Sequence, residues 1–298
     1  MSNDRGMRVL IAGSSGLLGS ALVATLRDSG HDVRRLVRRP ARAADEHSWD
    51  PPAGRIDDRA FEDVTTVVNL CGSPMGLRWS AARKQMIRDS RIEPTEVLAE
   101  AVAEYRIPTL VNASGIGYYG DTGDTVVTET APRGQGFLAE LCEAWEAAAA
   151  PATEAGSRVV NLRTGLVLSK EGLLGPLKPL FWLGLGGKLG DGKQYMPWIS
   201  LRDHVSAMRF LIEHETLSGP VNVCNPEPAT NAEFTRAMGH VLRRPAPWWA
   251  PGFALRAALG EVADEMALIS QRAVPAVLEK AGFTFVHTDL EGALAVAL

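Results

Sequence analysis

Short apolar runs alternate with helically spaced stretches through most of the chain. Met7–Ala12 (MRVLIA) ends in GSSGLLGS, after which Leu18, Ala21, Leu22, Thr25 and Leu26 recur at helical spacing until Ser29-Gly30 stops them. This predicts strand, glycine turn and helix. Further strands are expected at Val33–Val37, Val64–Leu70 and Leu110–Ala113, with helices around Arg83–Tyr105 and Phe137–Ala150. Val159–Leu168 continues the strand pattern, Asp203–Glu213 reads as a helix and Pro220–Val223 as a late strand. Apolar strands alternating with helices imply right-handed crossovers, hence an α/β doubly wound, mostly parallel sheet of the Rossmann kind. After residue 224 the pattern changes. Thr230-Asn-Ala-Glu233 is a capping box, Asp203 is read as capping the helix it opens, and Pro245–Leu298 is mostly helical with one aromatic, strand-like piece at 282–286, GFTFV.

Composition narrows the function classes. The 298 residues carry 31 Lys plus Arg against 35 Asp plus Glu, a net charge of -4, without the basic excess expected of a nucleic-acid binder. No apolar run approaches the ~20 residues of a membrane span, and the start lacks the pattern of a secretory signal. Cys71, Cys142 and Cys224 are too few and too scattered for a disulfide framework or a zinc site, so a cytoplasmic protein without metal, membrane or nucleic-acid partner is expected.

Gly13, Gly16 and Gly19 form G-x-x-G-x-x-G between the first strand and helix, where glycines let backbone N–H groups approach a pyrophosphate. The next strand ends in Val37-Arg38-Arg39-Pro40, with no acid for the ribose hydroxyls of NAD. Arg38 suits a 2′-phosphate instead, so NADP(H) is the expected cofactor. Arg34, Arg35 and Arg42 read as a solvated basic stretch.

The triple glycine, Leu70-Cys71-Gly72, Ser114 ahead of Tyr118-Tyr119-Gly120, and Gly190-Asp-Gly-Lys-Gln194 before Trp198 together resemble the extended short-chain dehydrogenase/reductases, relatives of the nucleotide-sugar epimerases and dehydratases. Trp49-Asp50-Pro51, Ser90-Arg91, Cys142-x-x-Trp145-Glu146, Arg163-Thr-Gly165, Leu183-Gly-Leu-Gly-Gly187 and Gln271-Arg-Ala-Val-Pro275 are similar to the atypical "epimerase family" branch. The resemblance implies an NADP-binding core over 7–168, rejoined by 199–224, and a substrate lobe from 169–198 and 225–298. It puts Gly13, Ser14, Ser15, Gly16, Leu17 and Leu18 on the pyrophosphate, and Val37, Arg38 and Arg39 at the adenosine phosphate. Leu70, Cys71 and Gly72 fall beside adenosine, Asp50 at the adenine amine, Arg91 as a further contact and Val167 along the nicotinamide. Asn69 is expected to tie strands together.

The superfamily's chemistry uses a Tyr whose proton moves to or from the substrate oxygen, a Lys four residues later and a Ser that orients the oxygen. Four positions after Tyr105, Tyr118, Tyr119 and Tyr195 stand Thr109, Thr122, Gly123 and Ile199, so the Tyr-x-x-x-Lys pair is missing, and Leu138 and Cys142 occupy its aligned places. Ser114 with Tyr118 or Tyr119 is the catalytic candidate; the alternative is that the Tyr pair only packs a turn. Lys193 and Arg163 are candidates for an anionic substrate. An oxidoreductase or epimerase acting on a small carbonyl, alcohol or nucleotide-sugar-like substrate competes with an NADPH sensor without turnover. Leu138, Leu141, Trp145 and Ala148 share a helix face suited to a homodimer.

Overall fold

The computed structural model describes residues 6–298; residues 1–5, part of the segment read above for a leader, lie outside it. Eight strands form the main sheet: β1 (Arg8–Ala12), β2 (Asp32–Val37), β3 (Glu46–Asp50), β4 (Arg55–Ile56), β5 (Thr66–Asn69), β6 (Thr109–Gly115), β7 (Arg158–Thr164) and β8 (Gly219–Val223). Their order is β8-β7-β6-β5-β1-β2-β3-β4, all neighbours parallel except the short β3–β4 hairpin. The order reverses between β1 and β5, and a dinucleotide fold opens its crevice at such a switch point.

Strand alternation builds two cores. Val9 and Ile11 of β1 face one side with Val68, Val111 and Val160, under the helices α1 (Leu17–Asp28) and α4 (Leu201–Glu213). Leu10 and Ala12 face the other with Val67, Leu110 and Val159, under α2 (Ala81–Glu104). Both faces of the central strands are therefore covered, which is why these strands read as continuous apolar runs. Between these helices α3 (Phe137–Ala147) packs beside α2, and α5 (Asn231–Leu242) follows β8 behind the expected capping box of Thr230 and Glu233. A third core joins Leu168, Leu174, Phe181, Trp198, Phe234 and Met238 in the C-terminal half. Among the described residues no helix is long and apolar enough to cross a membrane, and no metal-ligating cluster forms.

Four expectations are corrected. The long strand expected over 159–168 breaks after Thr164: Gly165 N–H still donates to Val223 O of β8 at 3.0 Å, but Leu166 N–H turns to Pro197 O at 2.7 Å. Leu166–Leu168 pairs instead with Trp198–Ser200. The polar segment EHSWD, not foreseen as a strand, is β3, held to β2 by backbone pairing. Gly282–Val286 is irregular; Phe283 packs on Phe210 of α4 and Phe285 at 5.4 and 4.9 Å. Finally, Ser200 rather than Asp203 caps α4, accepting from Asp203 N at 3.0 Å. Asp203 is fully buried and accepts from the backbone N–H groups of Val286 and His287 at 2.8 and 3.0 Å.

Candidate active site

The carboxyl ends of β1, β2 and β5 enclose a groove of 620 Å³. Gly13, Ser14, Ser15 and Gly16 form its floor, Val37, Arg38 and Arg39 one rim, and Leu70, Cys71 and Gly72 the other. Gly13 has φ +80°, and a Cβ there would stand 2.6 Å from the Leu70 carbonyl, so the turn between β1 and α1 admits glycine alone. The helix α1 then begins with no side-chain cap, leaving its first N–H groups turned toward the groove. Leu17 and Leu18 begin that helix, with Leu18 packed against the core.

The arginines at the rim divide by partner. Arg39 forks onto Glu46 with two bonds of 2.7 Å, and this, with the Arg42 N–H, pulls the Glu46 carboxyl down to about 2. Arg35 likewise holds Asp45, at 2.7 and 3.0 Å. Arg34 reaches the carbonyls of Arg59 and Ala60. Arg38 is exposed on the groove wall and makes no hydrogen bond or ion pair among the described residues. Its guanidinium is free for an anion. Of the carboxylates on this side, Glu46 is paired with Arg39 and Asp45 with Arg35, while Asp89 and Glu93 of α2 also line the groove.

Beside Gly72 the loop 72–75 is braced from α2. Ser90 Oγ accepts from Ser73 N at 3.0 Å, and Arg91 donates to Ser73 O and Ile87 O, both at 3.1 Å. Arg91 lies 5.2 Å over the Trp145 ring without a carboxylate partner, and burial lowers its pKa. It stands behind the groove wall rather than on it. Asp50 is also off the wall, its carboxylate bonded to Arg55 at 2.8 Å, whereas its neighbours Trp49 and Pro51 line the groove. Val167 is partly buried against the first core, paired with Ile199.

The other candidates converge on a buried polar cluster at the ends of β6 and β7. Ser114 donates to Glu146 Oε1 at 2.7 Å. Arg163 forks onto both Glu146 oxygens at 2.8 Å each and donates to the Tyr119 hydroxyl at 3.0 Å. Tyr119 in turn donates to Asn222 Oδ1 at 2.7 Å, and burial pushes its phenol up to about 12. Burial works against the Arg163 charge, yet Glu146 and Tyr119 together push its pKa above the usual arginine value. Tyr118 stacks its ring 3.4 Å from the Arg163 guanidinium, and its hydroxyl makes no hydrogen bond among the described residues. Ser114 and Tyr119 are thus committed to neighbours, and Tyr118 holds the uncommitted phenol. Arg163, foreseen as meeting an anionic substrate, is enclosed and paired instead.

Cys142 is packed against the Gly115–Gly117 turn, and burial raises its thiol to about 11, a poor thiolate. Leu141, Trp145 and Ala148, foreseen as part of a dimer face, are buried within the chain. Trp145 donates to Thr95 Oγ1 at 3.0 Å. Asn69 ties β5 to its neighbours as expected, donating to Thr95 and Asn112 at 2.8 and 2.9 Å.

Three residues, two of them in the cluster, were not foreseen in these roles. Glu146, Asn222 and Glu265 act across long sequence separations; Glu265 accepts from Phe137 N and Leu138 N at 3.0 and 3.1 Å, capping α3 from 127 residues or more away. The pairing of Cys142-x-x-Trp145-Glu146 with Arg163-Thr-Gly165 carried a signal for one of them, since a Glu and an Arg in adjoining motifs can meet at neighbouring strand and helix ends.

A parallel Rossmann sheet with a glycine turn, a groove at its switch point and a Ser–Tyr cluster alongside defines a dinucleotide-binding protein of the short-chain dehydrogenase/reductase class. The chain belongs to the NAD dependent epimerase/dehydratase family, whose model matches residues 9–224, and a domain of unknown function, DUF1731, matches 250–297. An epimerase family protein of Mycobacterium leprae is 55% identical over 97% of this chain and 95% of its own length. The human epimerase family protein SDR39U1, solved with NADPH, superposes with a TM-score of 0.88 at 30% identity, covering 98% of this chain and 99% of that one. A nucleoside-diphosphate sugar epimerase from Corynebacterium glutamicum superposes at 0.83 with 37% identity; this chain covers 58% of its length.

Proposed function

We propose that the protein is an NADP(H)-dependent oxidoreductase or epimerase-like enzyme, exchanging hydride with a small carbonyl, alcohol or nucleotide-sugar-like substrate. The observation that carries this reading is Arg38, an exposed guanidinium without a partner among the described residues, on the wall of the glycine-floored groove beside a carboxylate already neutralised by Arg39. The NADPH in the similar human structure supports it. Gly13–Gly16 and the start of α1 would hold the pyrophosphate, Arg38 the 2′-phosphate, and Leu70–Gly72 the adenosine. The bound nicotinamide would supply or accept the hydride.

Tyr118 is the proton donor or acceptor in this reading. Its ring is held 3.4 Å from the Arg163 guanidinium, and its hydroxyl is the one of the tyrosine pair not committed to a neighbour among the described residues. Ser114 and Tyr119 position that guanidinium through Glu146 and Asn222. Residues 169–198 and 225–298 would close over the substrate. A second reading, an NADPH sensor without turnover, is favoured by one observation: Leu138 and Cys142 bring no proton donor to the places where the superfamily has Tyr and Lys.

Tryptophan-to-nicotinamide energy transfer during titration with NADPH and with NADH tests the cofactor. NADPH is expected to bind tighter than NADH, and Arg38→Ala to remove that difference. Failure of both nucleotides to bind ends the enzyme reading and the sensor reading together. NADPH binding without turnover of any member of a carbonyl panel selects the sensor.

A further inference from the structure

The C-terminal half carries a surface the groove does not use. Residues 173–187 (LLGPLKPLFWLGLGG) hold a single charge, Lys178. The helix Leu174–Trp182 buries Leu174 and Phe181 inward, but the chain then turns Trp182, Leu183 and Leu185 outward, 57, 65 and 55% exposed. Trp248 continues this patch, 59% exposed, with its indole N–H donated to Gly184 O at 2.7 Å. Side chains of this size are rarely left outside together on a protein surface without a partner.

The same patch borders a concentration of positive charge. Trp248 also lines a cavity of 460 Å³ whose charged walls are Lys188, Arg236, His240 and Arg244, with no carboxylate among them. Arg244 is fixed to the patch itself, donating to Trp182 O at 3.1 Å with its guanidinium 5.6 Å from that ring. His240 pairs with Glu291 at 3.0 Å, which leaves Lys188, Arg236 and Arg244 as a cationic rim in a chain of net charge -4.

We propose that this face docks on an anionic phospholipid surface, the Trp182–Leu185 turn and Trp248 entering the interface while Lys188, Arg236 and Arg244 meet headgroup phosphates. Tryptophan and leucine beside lysine and arginine is the combination that a headgroup boundary stabilises: apolar side chains reach the acyl region and cations gain from the negative surface potential. A second copy of the chain fits less well. An isologous contact would gather two copies of the cationic rim into one interface, with no carboxylate from the cavity wall to offset them.

Sedimentation with phosphatidylcholine vesicles, alone and mixed with phosphatidylglycerol, tests this on the full chain. Association with the mixed vesicles only, a blue shift of tryptophan emission and loss at high salt are expected. Leu183→Ser with Leu185→Ser should weaken the association about tenfold or more, and Lys188→Gln or Arg236→Gln about fivefold each. All four side chains are exposed, and unchanged thermal unfolding would show that the variants fold. No association with the mixed vesicles overturns the proposal, as does equal binding to neutral ones. Concentration-dependent self-association abolished by the leucine pair, with vesicles ignored, would assign the face to a second copy instead.

Discussion

Arg163 and Glu146 form a buried, two-pronged ion pair that closes the end of the sheet directly beneath Tyr118, with both bonds at 2.8 Å. Breaking such a pair from one side leaves an enclosed charge without its partner. Arg163→Met is therefore expected to cost about 3–5 kcal/mol of stability. Urea unfolding of the purified variant measures it; a loss under about 1 kcal/mol would mean the pair is more hydrated than its burial indicates.

The two adjacent tyrosines should separate cleanly. Tyr119→Phe removes a donor to Asn222 and leaves that buried amide short of a partner, costing about 1–3 kcal/mol. Tyr118→Phe removes a hydroxyl bonded to nothing among the described residues and should shift stability by less than about 0.5 kcal/mol. If the proposed proton transfer is right, it is Tyr118→Phe that lowers NADPH-linked turnover, about a hundredfold or more, with NADPH affinity retained. Equal activity losses in both variants would undo that division of labour.

His204 gives the protein a built-in acid sensitivity. It is fully buried on α4, with Nε2 3.1 Å from Thr164 Oγ1 and Nδ1 without a partner among the described residues, and burial lowers its pKa to about 3. The unfolded chain takes up the proton near the ordinary value of ~6.5, whereas the folded one resists it until far lower. Between those values the unfolded state binds more protons, so stability is full above pH ~6.5 and falls as pH drops. By pH 5 the loss is about 2 kcal/mol, and His204→Leu should flatten that part of the profile. Thermal melts of both proteins from pH 7 to pH 5 decide it.

Gly13→Ala places a Cβ against the Leu70 carbonyl at a backbone angle that suits only glycine. A cost of about 1–2 kcal/mol is expected together with loss of dinucleotide binding, since the same turn forms the groove floor. Unimpaired NADPH binding in a folded variant would remove the turn from the site.

What could be read from the sequence was local. MRVLIA, the glycine turn and the spacing of Leu18, Leu22 and Leu26 lie within one contiguous stretch, and so the first strand, its helix and the groove floor were readable there. The capping box at Thr230 was legible for the same reason. EHSWD was not, because its strand character comes from pairing with β2 and from Arg35 and Arg39 gripping its acidic residues and their neighbours, not from an apolar face. GFTFV misled in the other direction: its aromatics are spaced like a strand's, but Phe283 serves as a knob against Phe210 and Phe285 packs on Phe283. The polar cluster was opaque in its connections, since Tyr119 meets Asn222 across 103 residues and Ser114 meets Glu146 across 32.

The cap that Glu265 places on α3 bears on how the chain is completed during synthesis. The helix is made early, but its first N–H groups meet their carboxylate only after 127 further residues have been added. Asp203 waits similarly for Val286 and His287, and the Asn222 side-chain amide for Val274 O. A nascent chain halted before residue 265 would thus hold a sheet with its strands in place and several of its polar ends open. The C-terminal segment acts less as an appended part than as the clasp that finishes the core already built.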